Sequence, residues 1–296
     1  MNEKKRTDIC LVCGANNFTV LYDSLLKKCS DCGFISYNAT YNNSYLLNKI
    51  YTKDYFCGEE YLDYKTDKAV IQQNFKKKLR KTDSLLIKNP LPGFNNILEI
   101  GCAYGFFGEL VKNNYNTTEY FGIDVVDEVI NYACNEIQIN AKKTDYLDLE
   151  KPAKPYTDIF LWDVIEHLQY PDKILGKAYN ELENNGRIYI STGDISKLLP
   201  KIQGRNWRMI HPPSHLHYFS KKTMSHLLNK IGFDIVKIYY PPVSRSLKQI
   251  FFSLFLLNKP KPKKLFKHIY NIIPHNLYFS INTFDIMNII AIKSNN

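Results

Sequence analysis

The run at 97–110, ILEIGCAYGFFGEL, passes from an apolar stretch into a turn punctuated by Gly101, Gly105 and Gly108 and then into the apolar start of a helix. A buried strand, a glycine turn and a helix in that order open a β-α unit that cradles a nucleotide-type cofactor. Glycine lets the backbone turn tightly and approach a ligand where a Cβ would obstruct, and the first N–H groups of the helix face that ligand. The spacing G-x-x-x-G-x-x-G departs from the dinucleotide pattern G-x-G-x-x-G, so the turn alone does not choose the cofactor.

The pattern continues with the same alternation. A helix is predicted over 72–87, ahead of the glycine turn. After it come a second apolar run that ends Tyr120-Phe-Gly-Ile-Asp124, a short run closed by Asp145, and a strand in Asp158-Ile-Phe-Leu-Trp-Asp-Val-Ile-Glu-His167 that runs into polar residues. Further strands are read at Gly186-Arg-Ile-Tyr-Ile-Ser, around Phe233–Tyr239 and at 285–293, the last as an antiparallel edge strand. The β-α alternation over residues 75–240 is that of a doubly wound α/β sheet, which places an acid at the end of its second strand to accept ribose hydroxyls. Asp124 holds that place. Glu99, at the first strand end, suits a cationic cofactor with an amino group and would repel a pyrophosphate.

Taken together these residues resemble the class I S-adenosylmethionine-dependent methyltransferases, which implies a Rossmann-like doubly wound sheet of seven strands with an antiparallel last strand. In such enzymes the motif matching Glu99-x-Gly101-x-x-x-Gly105 holds the methionine part of the cofactor, with Cys102, Ala103 and Tyr104 in the loop. The acid matching Asp124, followed by Val125, holds the ribose, Asp145 and Tyr146 lie by the adenine, and Leu161 and Trp162 lie beneath the sulfonium. The pair after the fourth strand matches Glu166-His167. One departure is Ala103-Tyr104, where many members carry a further glycine.

Ahead of this domain, Cys10-Leu-Val-Cys13-Gly and Cys29-Ser-Asp-Cys32-Gly form two C-x-x-C-G knuckles separated by a hairpin-length segment. Each knuckle supplies two tetrahedral positions, and a segment this short does not bury a core by itself. The expectation is a structural zinc on Cys10, Cys13, Cys29 and Cys32, with two disulfides as the alternative in an oxidising compartment. Cys57, Cys102 and Cys134 are isolated and are read as buried thiols. Residues 1–40 are thus a zinc ribbon, 41–90 an aromatic and helical connector, and 91–296 the methyltransferase domain. In the connector Tyr51, Tyr55 and Phe56 match a Tyr-x-x-x-Tyr-Phe run that zinc-ribbon members place over the cofactor as a lid; plain packing between modules accounts for them equally well.

Composition bounds the partners. At 45% hydrophobic and 14% aromatic the chain is built to fold. The start MNEKKRTD is followed by no apolar stretch, and no run reaches the length that spans a bilayer, so a cytoplasmic protein is expected. A net charge of +10 suits nucleic acid, an anionic membrane face or a phosphorylated substrate without choosing among them. Much of that charge lies in an insertion at about 244–284, where an apolar run at 250–257 precedes Lys259, Lys261, Lys263, Lys264 and Lys267. The insertion fits an anionic membrane or a lipid-linked substrate, and equally a cover over the acceptor pocket or a homodimer face.

The acceptor must approach from the loops at the carboxyl ends of the strands. One such loop holds Glu166 and His167. Another, 204–219, carries His211, His215 and His217 among prolines. A methyl transfer to oxygen needs proximity and a base for the hydroxyl proton, a task that suits histidine near neutral pH. Bacterial methyltransferases related to the ubiquinone-type and sugar-modifying enzymes show a similar His-Leu-x-Tyr-Phe-Ser, which points to His215 as the base, with His167 second. For His167 a purely structural bond to backbone is the competing role. A divalent ion shared by Glu166 and a histidine would need a fuller ligand set than the sequence presents.

The expected activity is methylation of a small-molecule or sugar acceptor at oxygen. Carbon methylation of a sugar, an RNA methyltransferase and a non-catalytic S-adenosylmethionine-binding module stay open. Methylation of DNA bases does not fit, because the fourth strand ends Leu161-Trp-Asp-Val164 rather than in an Asn/Asp-Pro-Pro-aromatic run and the chain has no Pro-Cys nucleophile. RNA is disfavoured because 18–28 in the ribbon carries few basic residues.

Overall fold

The computed structural model describes residues 9–39, 50, 64–88, 94–115, 118–255, 264–274 and 277–294. Tyr51, Tyr55, Phe56 and Cys57 lie outside them. The chain divides into two compact units, one of 1–51, 94–240 and 283–296, the other of 52–93 and 241–282.

The first unit is built on a seven-stranded sheet. Its strands are β4 (Asn96–Ile100), β5 (Glu119–Asp124), β6 (Ala141–Lys143), β7 (Tyr156–Trp162), β8 (Leu182–Gly193), β10 (Phe233–Tyr239) and β13 (Ile286–Lys293), in the order β10-β13-β8-β7-β4-β5-β6. Strands β4 to β8 pair in parallel, while β13 is antiparallel to both β8 and β10. This is the Rossmann-like sheet with an antiparallel last strand that the resemblance implies, but 285–293 is not the edge strand expected from the sequence: β13 pairs on both sides, between β8 and β10, and β10 forms the edge.

The order follows from which runs are apolar throughout. Every residue of β7 is buried, as a parallel strand covered on both faces requires. Its one charge, Asp158, is met by Arg187 of β8 in a paired contact, Nε to Oδ1 at 2.6 Å and Nη2 to Oδ2 at 2.8 Å, with Tyr189 donating at 3.1 Å. Between the strands run α2 (Phe106–Asn114), α3 (Asp127–Asn135), α4 (Pro171–Glu181), α5 (Leu198–Gln203) and α6 (Lys221–Ile231). Helix α6 shows how sharply the sequence marks its ends: Ser220 and Thr223 form a capping box, and Gly232 closes it at φ 117°.

The same unit contains a second sheet, of β1 (Phe18–Leu21), β2 (Leu26–Cys29), β3 (Ile35–Tyr37) and β9 (His217–Tyr218). Three strands belong to the cysteine knuckles and the fourth to the histidine-rich loop. Strand β3 pairs with β9 through Ile35 with Tyr218 and Ser36 with His217, and Tyr37 N–H donates to the Leu216 carbonyl at 2.8 Å. Phe34 packs on Phe219 with ring centroids 5.2 Å apart, and Cys10, Val12, Cys29 and Cys32 join the apolar core that also holds Leu161 and Ile190. The ribbon therefore shares a sheet and a core with the region that carries the candidate base.

The second unit has α1 (Lys68–Lys88), β11 (Val243–Ser246), α7 (Leu247–Phe255), α8 (Lys264–Ile272) and β12 (Tyr278–Ile281), with β11 and β12 paired antiparallel. No helix among the described residues is long and apolar enough to cross a membrane.

Candidate cofactor and acceptor site

At the carboxyl end of β4 the chain turns through Gly101 at φ 75°, Ala103 at φ 47° and Gly105 at φ 77° before α2 begins. These left-handed positions explain the glycines at 101 and 105. Added side chains would collide as well: a Cβ on Gly101 would stand 2.5 Å from Val164 Cγ2, and one on Gly105 2.5 Å from Ile139 Cδ1. Ala103, where related loops carry glycine, adopts the left-handed conformation and is pinned by its N–H donating to Asp124 Oδ2 at 2.9 Å. Gly108 has a different task, since its missing Cβ makes room for the Tyr120 ring. Tyr120 in turn donates from its hydroxyl to Glu99 Oε2. Glu99 is buried beside this phenol rather than displayed at the strand end.

Asp124 ends β5 with its carboxylate between loop amides, Ala103 N–H on one oxygen and Val126 N–H at 3.1 Å on the other. Burial raises its carboxyl above the usual range, against the pull of those amides. Asp145 caps a short 3-10 turn through Leu147 N–H at 2.9 Å. The Tyr146 side chain turns inward and donates to Glu181 Oε2 at 2.7 Å. Leu161 and Trp162 alternate across β7: Leu161 enters the central core, and Trp162 lies against Phe107 with centroids 5.7 Å apart. Cys102 and Tyr104 are buried, the latter edge-on to Tyr132 at 5.2 Å, and Val125 follows Asp124 between β5 and α3.

A fold of this kind leaves the next loop to supply the chemistry. After β7, Asp163 takes φ 56° with its N–H on the Ser191 carbonyl and hydroxyl, and the turn delivers Glu166 and His167. The Glu166 carbonyl then accepts from Leu216 N–H at 2.8 Å and His217 N–H at 3.1 Å, which ties the two histidine-bearing loops together. His167 and His215 meet edge to face with centroids 4.4 Å apart, and His211 lies 3.8 Å from His215. Ligand atoms of Glu166, His167 and His215 all fall within 4.8 Å of one another.

The protonation of these rings is set by their partners. His167 Nδ1 lies 2.9 Å from the Ser214 carbonyl and His215 Nδ1 2.8 Å from the Met209 carbonyl. A carbonyl only accepts, so each Nδ1 carries the hydrogen and each Nε2 keeps its lone pair. Burial lowers His167 and His211 to about 4 and His215 well below its ordinary value, so the cluster is neutral imidazole at neutral pH. His217 stands apart on β9, packed on Phe34 at 5.7 Å in the ribbon sheet.

The methyltransferase domain family matches residues 68–238, more than half of the chain. The chain belongs to this family. It is an S-adenosylmethionine-dependent methyltransferase. No curated protein sequence matches it. Among solved structures it is similar to a SAM-dependent methyltransferase from Archaeoglobus fulgidus, at 22% identity and TM-score 0.49, over 75% of this chain and 94% of that one. It is also similar to a putative methyltransferase from Bacillus halodurans, at 13% identity and TM-score 0.50, over 72% and 98%. The plantazolicin methyltransferase BpumL, solved with a desmethylPZN analog and SAH, matches at 17% identity and TM-score 0.50, over 78% and 86%. At such identities the likeness is one of fold.

In this methyltransferase the four knuckle cysteines converge as free thiols: Sγ atoms of Cys10 and Cys32 are 3.5 Å apart, those of Cys13 and Cys29 3.6 Å, and all four lie within 4.8 Å of one another. A tetrahedral zinc with Zn–S bonds of about 2.3 Å spaces its sulfurs by about 3.8 Å, so the set fits that ion. Gly14 at φ 84° and Gly33 at φ 82° make the knuckle turns.

Sequence reasoning passed over a polar group beside the acceptor loops. Asp285 accepts from Trp207 Nε1 at 2.8 Å and from Arg208 at 3.1 Å, and its carbonyl accepts from Asp194 N–H at 2.7 Å. Tyr240 donates to the Asp194 carboxylate at 2.8 Å. The signal was an acid directly after strand β8, the usual place of a functional side chain in such sheets.

Proposed function

We propose that the protein methylates a hydroxyl of a small-molecule or sugar-linked acceptor, with His215 Nε2 receiving the proton and His167 as its neighbour. The observation that carries this reading is the pair of neutral rings whose Nδ1 hydrogens are held by the carbonyls of Met209 and Ser214. A base fixed in this tautomer aims one lone pair and loses no time reorienting. When bound, S-adenosylmethionine supplies the electrophilic methyl group. Glu99, Gly101, Cys102, Ala103, Tyr104 and Gly105 would hold its methionine end, Asp124 and Val125 its ribose, Asp145 and the Tyr146 main chain its adenine, and Leu161 and Trp162 the floor under sulfur. The ring of Tyr120 keeps Glu99 in place from behind.

Cys10, Cys13, Cys29 and Cys32 would hold a structural zinc, with all four positions filled by protein and none left for chemistry. Carbon methylation of a sugar would use the same base on a carbon-bound proton. Incubation with S-adenosylmethionine labelled in its methyl group and a panel of nucleotide-linked sugars tests the reading. Label appearing as a methoxy resonance in the NMR spectrum of a product supports it; a C-methyl resonance, or label passing to RNA alone, refutes it.

A further inference from the structure

The two-stranded β11–β12 sheet of the second unit is amphipathic the wrong way round. Its polar side faces the helix: Lys77 of α1 donates to Ser244 Oγ and Ser280 Oγ at 2.6 Å each, Asn74 bonds both main-chain groups of Ser244, and Ser246 donates to Asp67 at 3.1 Å. Alternation along the strands sends Val243, Arg245, Phe279 and Ile281 to the other side, as the pairs Val243 with Ile281 and Arg245 with Phe279. There Phe279 is 50% exposed and Ile281 56%. Helix α8 repeats the theme. It packs Phe266 against Phe251 and Phe255 and sets Tyr270 on Phe252, while Leu265 and Ile272, two turns apart on one face, are 63% and 66% exposed.

Exposed apolar side chains gathered in one small unit mark a surface that meets something. Charge identifies the partner. Residues 241–284 contain seven Lys and Arg and no Asp or Glu, against a net +10 for the whole chain. A symmetric dimer through these segments would bring their like charges together. An anionic bilayer offers acyl chains for the apolar residues and headgroups for the lysines, and weak anchors hold when both signals are present.

We infer that the second unit is a docking face for an anionic membrane surface, which would bring this enzyme to acceptors held at a bilayer. The test is sedimentation of the full chain with vesicles of phosphatidylcholine alone and of phosphatidylcholine with phosphatidylglycerol, at low and high salt. Binding to the anionic vesicles at low salt is expected, weaker by at least about tenfold on neutral vesicles and on adding salt. Two separate double variants, Phe279→Ser with Ile281→Ser and Leu265→Ser with Ile272→Ser, should each lose at least about tenfold in vesicle affinity with S-adenosylhomocysteine binding unchanged. Absence from the anionic pellet at low salt overturns the proposal. So does vesicle binding that both variants retain, or a variant whose only effect is to turn a dimer into a monomer.

Discussion

His167 and His215 stand edge to face with ring centroids 4.4 Å apart, each with Nδ1 against a main-chain carbonyl. Two loops far apart in sequence supply them, and the Glu166 carbonyl joins those loops by accepting from Leu216 and His217. Burial holds His167 at about 4 and His215 well below its ordinary value. The acid limb of the pH–rate profile should therefore fall well below the ordinary histidine value, because the base is competent only while unprotonated. Since coupled rings titrate as a pair, the limb reports the pair. Steady-state rates across the stable range check this, and a limb near 6.5 would show that the base is solvated.

The same shifts act on stability. His167, His211 and His217 are each lowered to about 4 from 6.5, so between those values the unfolded chain binds more protons than the folded one. Stability then falls as pH drops from about 6.5 toward 4, by up to roughly 3 kcal/mol for each imidazole kept neutral. His217 lies in the ribbon sheet, so His217→Gln should flatten the dependence of Tm on pH in this window. An unchanged slope would remove His217 from the account.

Strand pairing between β3 and β9 ties the ribbon to the loop that carries the candidate base, so it is not a detached appendage. Removing metal with a chelator should loosen β9 and the Trp207 pocket, where Leu26, Ile35 and Tyr218 pack together. In a Trp162→Phe background Trp207 is the remaining tryptophan, and its emission should shift to the red while wild-type protein still binds S-adenosylhomocysteine. Unchanged emission after complete metal loss would mean that the ribbon fold does not depend on the ion.

Gly101→Ala tests the cofactor turn. The new Cβ needs φ 75° and the space of Val164, which should cost about 1–3 kcal/mol of stability and weaken cofactor binding by tenfold or more. Calorimetric titration with S-adenosylhomocysteine reads the second effect directly.

Much of this architecture was legible because one local pattern specifies one element. The apolar run before Trp162 and the glycines at 101 and 105 each have a single structural outcome. Less local facts escaped. Nothing in the order of residues shows that Gly108 serves Tyr120, that Tyr146 turns to Glu181, or that a ribbon strand pairs with β9, since each depends on partners brought together only by folding. The histidines were visible, but not their sorting: His211 and His215 join His167, while His217, two residues on, alternates to the ribbon side.

The most direct test is methyl transfer by His215→Ala and His167→Ala, measured in a single turnover with S-adenosylmethionine saturating and its binding measured alongside. Loss of the base should slow transfer by about 10²–10⁴-fold in His215→Ala, with cofactor affinity within a few-fold of wild type. Transfer near the wild-type rate in both variants, with cofactor bound, would contradict the assignment of the base.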